Sequence, residues 1–212
     1  MANIERGRPL RLNEVFWSAQ GEGLNIGRPS IFVRLSGCSV RCDYCDQKEA
    51  WGDGQLLELP VLLQQVAALK HRYPSSMVVI TGGEPLEQDI LPLVRELRRL
   101  SLFTAIETSG GFFQRLPLDW WTVAPKPTLE YRIHPSLVEE INEIKLVVSP
   151  QLTVRTVKMM RRLVPSAPIF LQPQFFDPGK FQRSYQLYKE CQQQAIPDVR
   201  LGLQLHTVYT IQ

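Results

Sequence analysis

Short apolar runs alternate along the chain with longer stretches in which apolar residues recur at helical spacing. The short runs are rich in β-branched and aromatic residues and predict strands, whereas the longer stretches predict amphipathic helices. The predicted strands are Ile31–Ser36, Met77–Thr81, Phe103–Thr108, Trp121–Ala124, Glu143–Val148 and Ile169–Gln172, with a weaker one at Arg200–Leu205. The predicted helices are Leu56–Arg72, Leu86–Leu100, Thr153–Leu163 and Lys180–Gln194.

This order of elements is typical of an α/β protein, because parallel strands need crossover connections that are usually helices. A complete eight-unit barrel usually has about 250 residues, whereas this chain has 212. We therefore expect an incomplete, open parallel β/α barrel of about six strands. One domain over residues 1–212 is the expected organisation.

Composition and charge narrow the class of protein. Hydrophobic residues make up 44% of the chain and charged residues 21%, as in an ordinary globular protein. The net charge of +3 is modest, and no basic run with interleaved aromatic residues indicates a nucleic-acid partner. The segment Met1–Leu10 lacks the apolar core of a signal peptide, and no stretch is long and apolar enough to span a membrane. We expect a cytoplasmic protein with neither nucleic acid nor membrane as a partner.

The residues that follow the predicted strands are glycines, prolines and polar residues. In parallel sheets of this kind, binding and catalytic groups gather at the carboxyl ends of the strands. The segments at these positions are Gly37-Cys38, Gly82-Gly83-Glu84-Pro85, Ser109-Gly110, Pro125-Lys126, Ser149-Pro150 and Gln172-Pro173-Gln174. Together they predict a binding face at the strand ends.

Three of the four cysteines, Cys38, Cys42 and Cys45, have the spacing C-x3-C-x2-C directly after a predicted strand. Such short loops would make a poor disulfide framework, and clustered thiols in a cytosolic chain indicate a metal site. Three thiolates can hold a [4Fe–4S] cluster and leave one iron open, whereas ferredoxins and structural zinc sites usually have four ligands. Cys191 lies in a predicted helix, where we expect a packed free thiol.

A zinc knuckle completed by His71, His134 or His206 stays open as an alternative, although the spacing and the position after a strand favour the cluster. The loop resembles the signature of the radical S-adenosylmethionine (SAM) superfamily. The resemblance implies that the open iron binds the amino and carboxylate groups of SAM. One electron from the reduced cluster then cleaves SAM to a 5′-deoxyadenosyl radical, which abstracts a hydrogen atom.

Other strand ends fit the binding of SAM. The segment Thr81-Gly82-Gly83-Glu84-Pro85 resembles the second signature of the superfamily, in which glycine permits close approach and a carboxylate pairs with an ammonium group. Tyr44 is expected near the adenine, and Ser109 near the ribose or the substrate. Lys126 lies between two prolines that stiffen its loop, and Gln172 offers an amide to the adenosine.

The chain as a whole resembles the 7-carboxy-7-deazaguanine synthase family of queuosine and deazapurine biosynthesis. The matching blocks are Ser18-Ala19-Gln20-Gly21-Glu22-Gly23, Gly27-Arg28-Pro29, Phe32-Val33-Arg34-Leu35, the cysteine loop, Thr81-Gly82-Gly83-Glu84-Pro85, Ile106-Glu107-Thr108-Ser109-Gly110, Ala124-Pro125-Lys126, Glu143-Ile144-Lys145, Leu171-Gln172-Pro173 and Gln204-Leu205-His206. They occur in the order of the family, which makes the combination more specific than any single block.

The resemblance implies a homodimer that converts 6-carboxy-5,6,7,8-tetrahydropterin to 7-carboxy-7-deazaguanine with loss of ammonia, using catalytic SAM and an external electron donor. The implied catalytic residues are Glu22, Arg34 and Glu107. The implied substrate-binding residues are Ala19, Gln20, Gly21, Glu22, Arg34, Thr81 and His206. The implied SAM-binding residues are Tyr44, Asp46, Gly83, Glu84, Ser109, Ala124, Lys126 and Gln172. Chemically, Arg34 can bind a carboxylate with two hydrogen bonds, and Glu22 with Gln20 can bind the guanidine-like edge of a pterin.

The sequence departs from the family pattern at two positions. Gln47 stands where the family usually has Thr or Ser, whose hydroxyl helps to hold a magnesium ion. An amide carbonyl is also a hard oxygen ligand, so Gln47 is a candidate magnesium ligand of different reach. Ala124 stands where the family often has Ser, and one hydroxyl contact is lost there.

Two other classes of protein share some of these features. A radical SAM activating enzyme, which makes a glycyl radical on a partner protein, has the same cysteine loop. It does not predict the segments Gln20-Gly21-Glu22-Gly23 and Gln204-Leu205-His206. A non-catalytic iron–sulfur or zinc binding module would be distinguished by analysis of bound metal and sulfide.

Overall fold

The computed structural model describes residues 7–174 and 178–211. These residues form two compact units. The first unit contains the described residues up to Ser18 together with Arg28–Thr108 and Phe112–Trp121. The second contains Ala19–Gly27, Ser109–Gly111 and the described residues from Thr122 onward. The single domain expected over residues 1–212 stays a prediction.

The first unit is built on a mixed sheet with two helices. Its elements are β1 (Leu10–Ala19), β2 (Pro29–Leu35), β3 (Gln55–Leu57), α1 (Leu59–Arg72), β4 (Met77–Gly82), α2 (Leu91–Arg99) and β5 (Phe103–Thr108). The strand order is β3-β1-β2-β4-β5. The strand β3 is antiparallel to β1, whereas β2, β4 and β5 are parallel, with Leu35 opposite Gly82 at the end of the β2–β4 ladder. The loops after β2 and β4 therefore start side by side.

The central strands of the first unit are almost wholly apolar and buried, as expected for parallel strands covered on both faces. Ile31, Val33 and Leu35 of β2 are fully buried, as are Met77 and Ile80 of β4. A hydrophobic cluster is formed by Phe16, Phe32, Met77, Val79 and Ala105, with Phe103 and Trp120 packed against it. This packing fixes the positions from which the site loops leave the sheet.

The second unit contains parallel strands and three helices. Its elements are β6 (Trp120–Val123, whose first half belongs to the first unit), β7 (Glu143–Val147), α3 (Val154–Leu163), β8 (Ile169–Gln172), α4 (Pro178–Gln193), β9 (Val199–Leu201) and α5 (Leu205–Tyr209). The strands β6, β7, β8 and β9 pair in this order, and Val147 lies opposite Gln172. The polar residues after β7 and β8 are therefore neighbours.

The structure corrects several predicted boundaries. The helix expected from Leu56 begins at Leu59, because Gln55–Leu57 pairs with β1 as a short strand. The helix expected from Leu86 begins at Leu91, because Pro85–Glu87 forms a 3-10 turn and Pro92 favours a helix start. The strand expected at Arg200–Leu205 is β9, Val199–Leu201, and Leu205 begins α5. The strand β1 was not predicted.

Candidate active site

The cysteine loop follows β2 in the first unit and is shaped by its own backbone. The Cys45 N–H donates to the Cys42 carbonyl at 3.0 Å, and Arg41 adopts the left-handed conformation with φ 42°. The Gln47 N–H donates to Cys45 Sγ at 3.4 Å, and the backbone N–H groups of Arg41 and Val40 interact with the Cys38 sulfur. Cys42 is buried, while Cys38 and Cys45 are partly exposed, and all are free thiols.

This set of donors fits a [4Fe–4S] cluster. Backbone N–H groups directed at sulfur stabilise thiolate ligands and tune the cluster. Burial raises the pKa of the Cys38 thiol above its ordinary value, although the N–H groups of Arg41 and Val40 oppose this shift, so iron binding must displace the proton. The residues that the structure describes contain no group of three His, Cys, Asp or Glu side chains that could hold a single metal ion. In a [4Fe–4S] cluster, by contrast, each thiolate binds a different iron.

Gly82 and Gly83, at the end of β4, are in very close contact with the end of β2. The Gly83 N–H donates to the Leu35 carbonyl at 2.9 Å, and the Glu84 N–H donates to the Gly37 carbonyl at 2.9 Å. A Cβ atom on Gly83 would lie 2.0 Å from the Gly37 oxygen, and one on Gly82 would lie 2.0 Å from the Leu35 oxygen. These positions must therefore be glycine, because any Cβ atom would overlap the neighbouring backbone. This reason adds to the close approach of a ligand that was inferred from the sequence.

Two carboxylates fix the segment after Gly83. The buried Glu84 accepts a hydrogen bond from Thr108 Oγ1 at 2.6 Å and from the Leu86 N–H at 3.2 Å, both at Oε1. Glu87 accepts from the Ser39 N–H at 3.0 Å and from Ser39 Oγ at 2.5 Å. The carboxylate predicted to bind the ammonium group of SAM and the cysteine loop therefore belong to one hydrogen-bonded frame.

Arg34 projects from β2 and is oriented by two residues of β1. Its Nε donates to Glu14 Oε1 at 2.8 Å, and its guanidinium lies 5.2 Å from the centre of the Phe16 ring. Two-point binding of a substrate carboxylate would therefore use the Nη groups. On the neighbouring strands, Thr81 Oγ1 donates to Glu107 Oε2 at 3.3 Å, which brings together two further predicted site residues.

In the second unit, the segment 19–27 lies against β7 and the C-terminal segment. Glu22 Oε2 is 2.7 Å from Lys145 Nζ, and Glu22 Oε1 accepts from Gln204 Nε2 at 2.9 Å. A Cβ atom on Gly21 would lie 2.4 Å from His206 Nδ1. Gln20 Oε1 accepts from the Glu22 N–H at 3.2 Å. The structure therefore brings together predicted substrate-binding residues that lie far apart in the sequence: Gln20, Gly21 and Glu22 near the beginning of the chain and His206 near its end.

Gln172, at the end of β8, has a buried side-chain amide. The residue is 2% exposed, and neither side-chain amide atom has a hydrogen-bond partner among the described residues. Gly202 lies beside it, and a Cβ atom there would be 2.4 Å from Gln172 Oε1. Buried amides are almost always paired, so this one is suited to bind a ligand such as the adenosine of SAM. Sequence reasoning missed the part played by Gly202.

The predicted site residues divide between the two units. The first unit contains Arg34, Cys38, Cys42, Tyr44, Cys45, Asp46, Gln47, Thr81, Gly83, Glu84 and Glu107. The second contains Ala19, Gln20, Gly21, Glu22, Ser109, Ala124, Lys126, Gln172 and His206. Lys126 is half-buried, and its carbonyl accepts the N–H groups of Leu129 and Tyr131 at 3.0 and 2.9 Å, which shapes its loop.

Cys191 has the character expected of a structural thiol. It is fully buried on α4, and burial raises its pKa to about 11, with the Glu190 charge adding to the shift. A thiol with this pKa is protonated at neutral pH and is a poor metal ligand. The structure thus agrees with the packed free thiol inferred from the sequence.

Comparison with known proteins defines the class. Residues 32–164 match the family model described as the Radical SAM superfamily. The chain is therefore a radical SAM enzyme, whose cofactors are a [4Fe–4S] cluster and SAM. The crystal structure of Streptococcus suis SuiB bound to precursor peptide SuiA, at 13% identity, has a TM-score of 0.56 over 82% of this chain and 48% of that one. That likeness concerns the fold alone.

Three closer relatives define the family within this class. The 7-carboxy-7-deazaguanine synthase of Synechocystis sp. is 37% identical over 166 residues, which cover 76% of each chain. The one of Aquifex aeolicus is 30% identical over 95% of this chain and 94% of its own. The crystal structure of QueE from Escherichia coli has a TM-score of 0.74 at 30% identity, over 93% of this chain and 94% of that one. The chain belongs to the 7-carboxy-7-deazaguanine synthase family, a family of lyases.

These matches settle several predictions. The open α/β fold of radical SAM type is confirmed, since the similarity to the E. coli structure extends over 93% of this chain. Family membership rejects the zinc knuckle, the non-catalytic binding module and the glycyl-radical activating enzyme. The individual roles assigned to the site residues stay predictions.

Replacement of Gly202 by Ala is expected to weaken SAM binding by up to about tenfold, because the new methyl group would displace the Gln172 amide and cost one or two hydrogen bonds. The melting temperature should fall slightly, since the two nearest atoms, Oε1 and Cδ, belong to the Gln172 side chain, while the Gln172 Cα would lie 3.2 Å from the new methyl group. Equilibrium binding of SAM to the cluster-loaded protein measures the effect. In a Gln172→Ala background, the Gly202→Ala change should add nothing, and further weakening there would contradict the assignment.

Proposed function

We propose that the protein converts 6-carboxy-5,6,7,8-tetrahydropterin to 7-carboxy-7-deazaguanine with release of ammonia. The observation that carries the proposal is the group formed by Gln20, Gly21, Glu22 and His206, with the Glu22 carboxylate held by Lys145 and Gln204. A carboxylate held in a fixed orientation is the acceptor that the 2-amino group and adjacent ring N–H of a pterin require. The names of the relatives support the same product.

The residues of this chain bind and orient the substrate. Glu22 and Gln20 bind the guanidine-like edge of the pterin. Arg34, pre-oriented by Glu14 and Phe16, binds the 6-carboxylate with its Nη groups.

Other residues hold the cofactors. Cys38, Cys42 and Cys45 hold the cluster, Glu84 binds the SAM ammonium group, and Gln172 binds the adenosine. When bound, the cluster and SAM supply abstraction of a hydrogen atom from the substrate and its return at the end of each turnover. The burial of Glu84 and Gln172 excludes water from their contacts, which strengthens hydrogen bonds to a ligand.

The proposed reaction also needs a reductant, and the proposed enzyme has a second subunit. We propose an external electron donor, a homodimer and a cytoplasmic location, all of which accord with the family resemblance. Within residues 7–174 and 178–211, none of the helices combines the length and apolar character needed to cross a membrane.

We also propose a magnesium ion beside the substrate, with Gln47 in place of the usual hydroxyl ligand. Gln47 is half-buried directly after the cysteine loop, but its amide reaches roughly one to two carbon–carbon bonds further than a hydroxyl, and magnesium tolerates little departure from octahedral geometry. We therefore expect weak magnesium dependence in the native protein and a stronger dependence in Gln47→Thr. Titrating turnover against magnesium in both proteins measures this. Strong dependence in the native protein that Gln47→Thr leaves unchanged would show that residue 47 does not control the metal.

Anaerobic turnover tests the proposed function. Reconstituted protein, SAM, a strong reductant and the tetrahydropterin should yield 7-carboxy-7-deazaguanine and one equivalent of ammonia, detected by mass spectrometry and an ammonia assay. SAM should stay largely intact over many turnovers. A cluster-loaded protein that cleaves SAM but leaves the tetrahydropterin unchanged would reject the substrate and retain the enzyme class.

A further inference from the structure

Two charged residues of β7 are buried on the same face of the strand. Glu143 and Lys145 alternate with the fully buried Ile144 and Leu146, and successive side chains of a strand point to opposite faces. Burying a carboxylate or an ammonium group is costly unless it is paired. The groups that these two residues contact therefore indicate why they are there.

Glu143 holds the backbone of the segment 19–27. Its Oε2 accepts from the Leu24 N–H at 2.7 Å, and its Oε1 accepts from Thr122 Oγ1 at 2.8 Å. Gly23, with φ +71°, leaves the space for this carboxylate, because a Cβ atom there would lie 2.2 Å from Glu143 Oε1. Glu143 thus fixes the path of the chain just after Glu22.

Lys145 contacts the side chain of Glu22 in the same segment. Its Nζ lies 2.7 Å from Glu22 Oε2, and the side chains of Lys145 and Glu22 are only 5% and 16% exposed. Gln204 Nε2 donates to the other oxygen, Glu22 Oε1, at 2.9 Å. A carboxylate has about four acceptor positions, so each oxygen can still accept a second hydrogen bond. The two contacts fix the plane of the carboxylate and leave it able to bind two further donors.

A buried ion pair such as Lys145–Glu22 is by itself weak evidence of a contribution to stability. Desolvation of a buried pair often cancels its Coulombic gain, and apolar replacements are frequently as stable. A pair that orients a carboxylate toward a ligand has a separate reason to exist.

We propose that Lys145 is a positioning residue for substrate recognition, which holds the Glu22 carboxylate in the orientation that accepts the guanidine-like edge of the pterin. The inference rests on the proposed function, because it takes Glu22 to be the acceptor for that edge. Without the Lys145 ammonium group, the carboxylate loses both a counter-charge and one of the two contacts that fix its direction. Loss of charge-assisted hydrogen bonds of this kind should weaken substrate binding on the order of 10- to 100-fold.

Anaerobic calorimetry with the tetrahydropterin and SAM-bound, cluster-loaded protein tests the proposal. Lys145→Met and Glu22→Gln should each raise the substrate Kd on the order of 10- to 100-fold, and the double variant should be no worse than the weaker-binding single variant. Lys145→Arg should restore part of the affinity. The affinity for SAM should stay within about twofold in Lys145→Met. Lys158→Met, which removes a lysine of α3, is the matched control and should leave substrate affinity unchanged.

A pterin analogue with a carbonyl in place of the 2-amino group supplies a second readout. It lacks one of the two donors that Glu22 binds, so Lys145→Met should weaken its binding by a smaller factor than it weakens binding of the tetrahydropterin. Two results would overturn the positioning role while the proposed function stands. One is an equal loss of affinity for both pterins in Lys145→Met. The other is a Kd of the double variant that rises by the product of the two single-variant factors. Wild-type protein that does not bind the tetrahydropterin would instead overturn the proposed function, and the inference with it.

Discussion

Replacement of Cys38, Cys42 or Cys45 by alanine is expected to abolish the brown [4Fe–4S] absorption and the cleavage of SAM together. Each thiolate would bind a different iron of the cluster, and one iron would already lack a protein ligand, so the loss of another thiolate would leave two protein ligands to hold the cluster. Iron and sulfide analysis after anaerobic reconstitution, with the visible absorption spectrum, measures cluster content. Conversion of SAM to 5′-deoxyadenosine under reducing conditions measures cleavage.

Cys191→Ala is the matched control for these variants. This thiol is fully buried on α4 with its pKa raised to about 11, so its removal should leave a small cavity and an intact cluster. A cluster that persists in Cys38→Ala, Cys42→Ala or Cys45→Ala would overturn the ligand assignment. Loss of the cluster in Cys191→Ala would instead indicate a site closed by four cysteines.

Gly83→Ala is expected to destabilise the first unit by about 3 kcal/mol or more and to prevent stable incorporation of the cluster. The added Cβ atom would lie 2.0 Å from the Gly37 oxygen and 2.9 Å from the Ala50 oxygen, and both are backbone atoms that cannot move independently of the cysteine loop. Thermal unfolding of the reconstituted protein and its iron content measure the two effects.

Gly52→Ala provides the comparison, because a Cβ atom on Gly52 would meet nothing within 4 Å. Gly52 also lies in the first unit, and its φ of −76° is accessible to alanine. This variant should match the wild-type protein in stability and iron content. Gly83→Ala protein with normal stability and a full cluster would show that the strand ends separate more easily than their contacts indicate.

Patterns of hydrophobic residues predicted the buried parallel strands well, because these strands are continuous apolar runs with a length and flanking turns of their own. The strand β1 was missed although Leu10, Leu12 and Phe16 are buried, because Glu14 breaks the alternation of its inward positions. The structure shows why a carboxylate occurs there: it holds Arg34. The carboxylate at an inward position of β1 thus indicated that this strand contributes to the candidate active site.

Contacts between residues far apart in the chain could not be predicted from local patterns. Glu22 and Lys145 are separated by 123 positions, and nothing near either residue identifies its partner. The sequence nevertheless indicated that a partner exists, since Lys145 lies between the apolar residues Ile144 and Leu146 and a buried lysine needs a counter-charge. The cluster ligands, by contrast, could be predicted from the sequence, because the three cysteines lie within one short loop with a characteristic spacing.

The contact between Gly21 and His206 limits which residues can replace either of them. Because a side chain at position 21 would overlap the imidazole at 206, a mutation of this glycine requires the imidazole to move or to be replaced by something smaller. The two positions, one in an early loop and the other near the end of the chain, are therefore expected to change together during divergence. Either change would displace the imidazole, and with it any substrate contact that depends on its position.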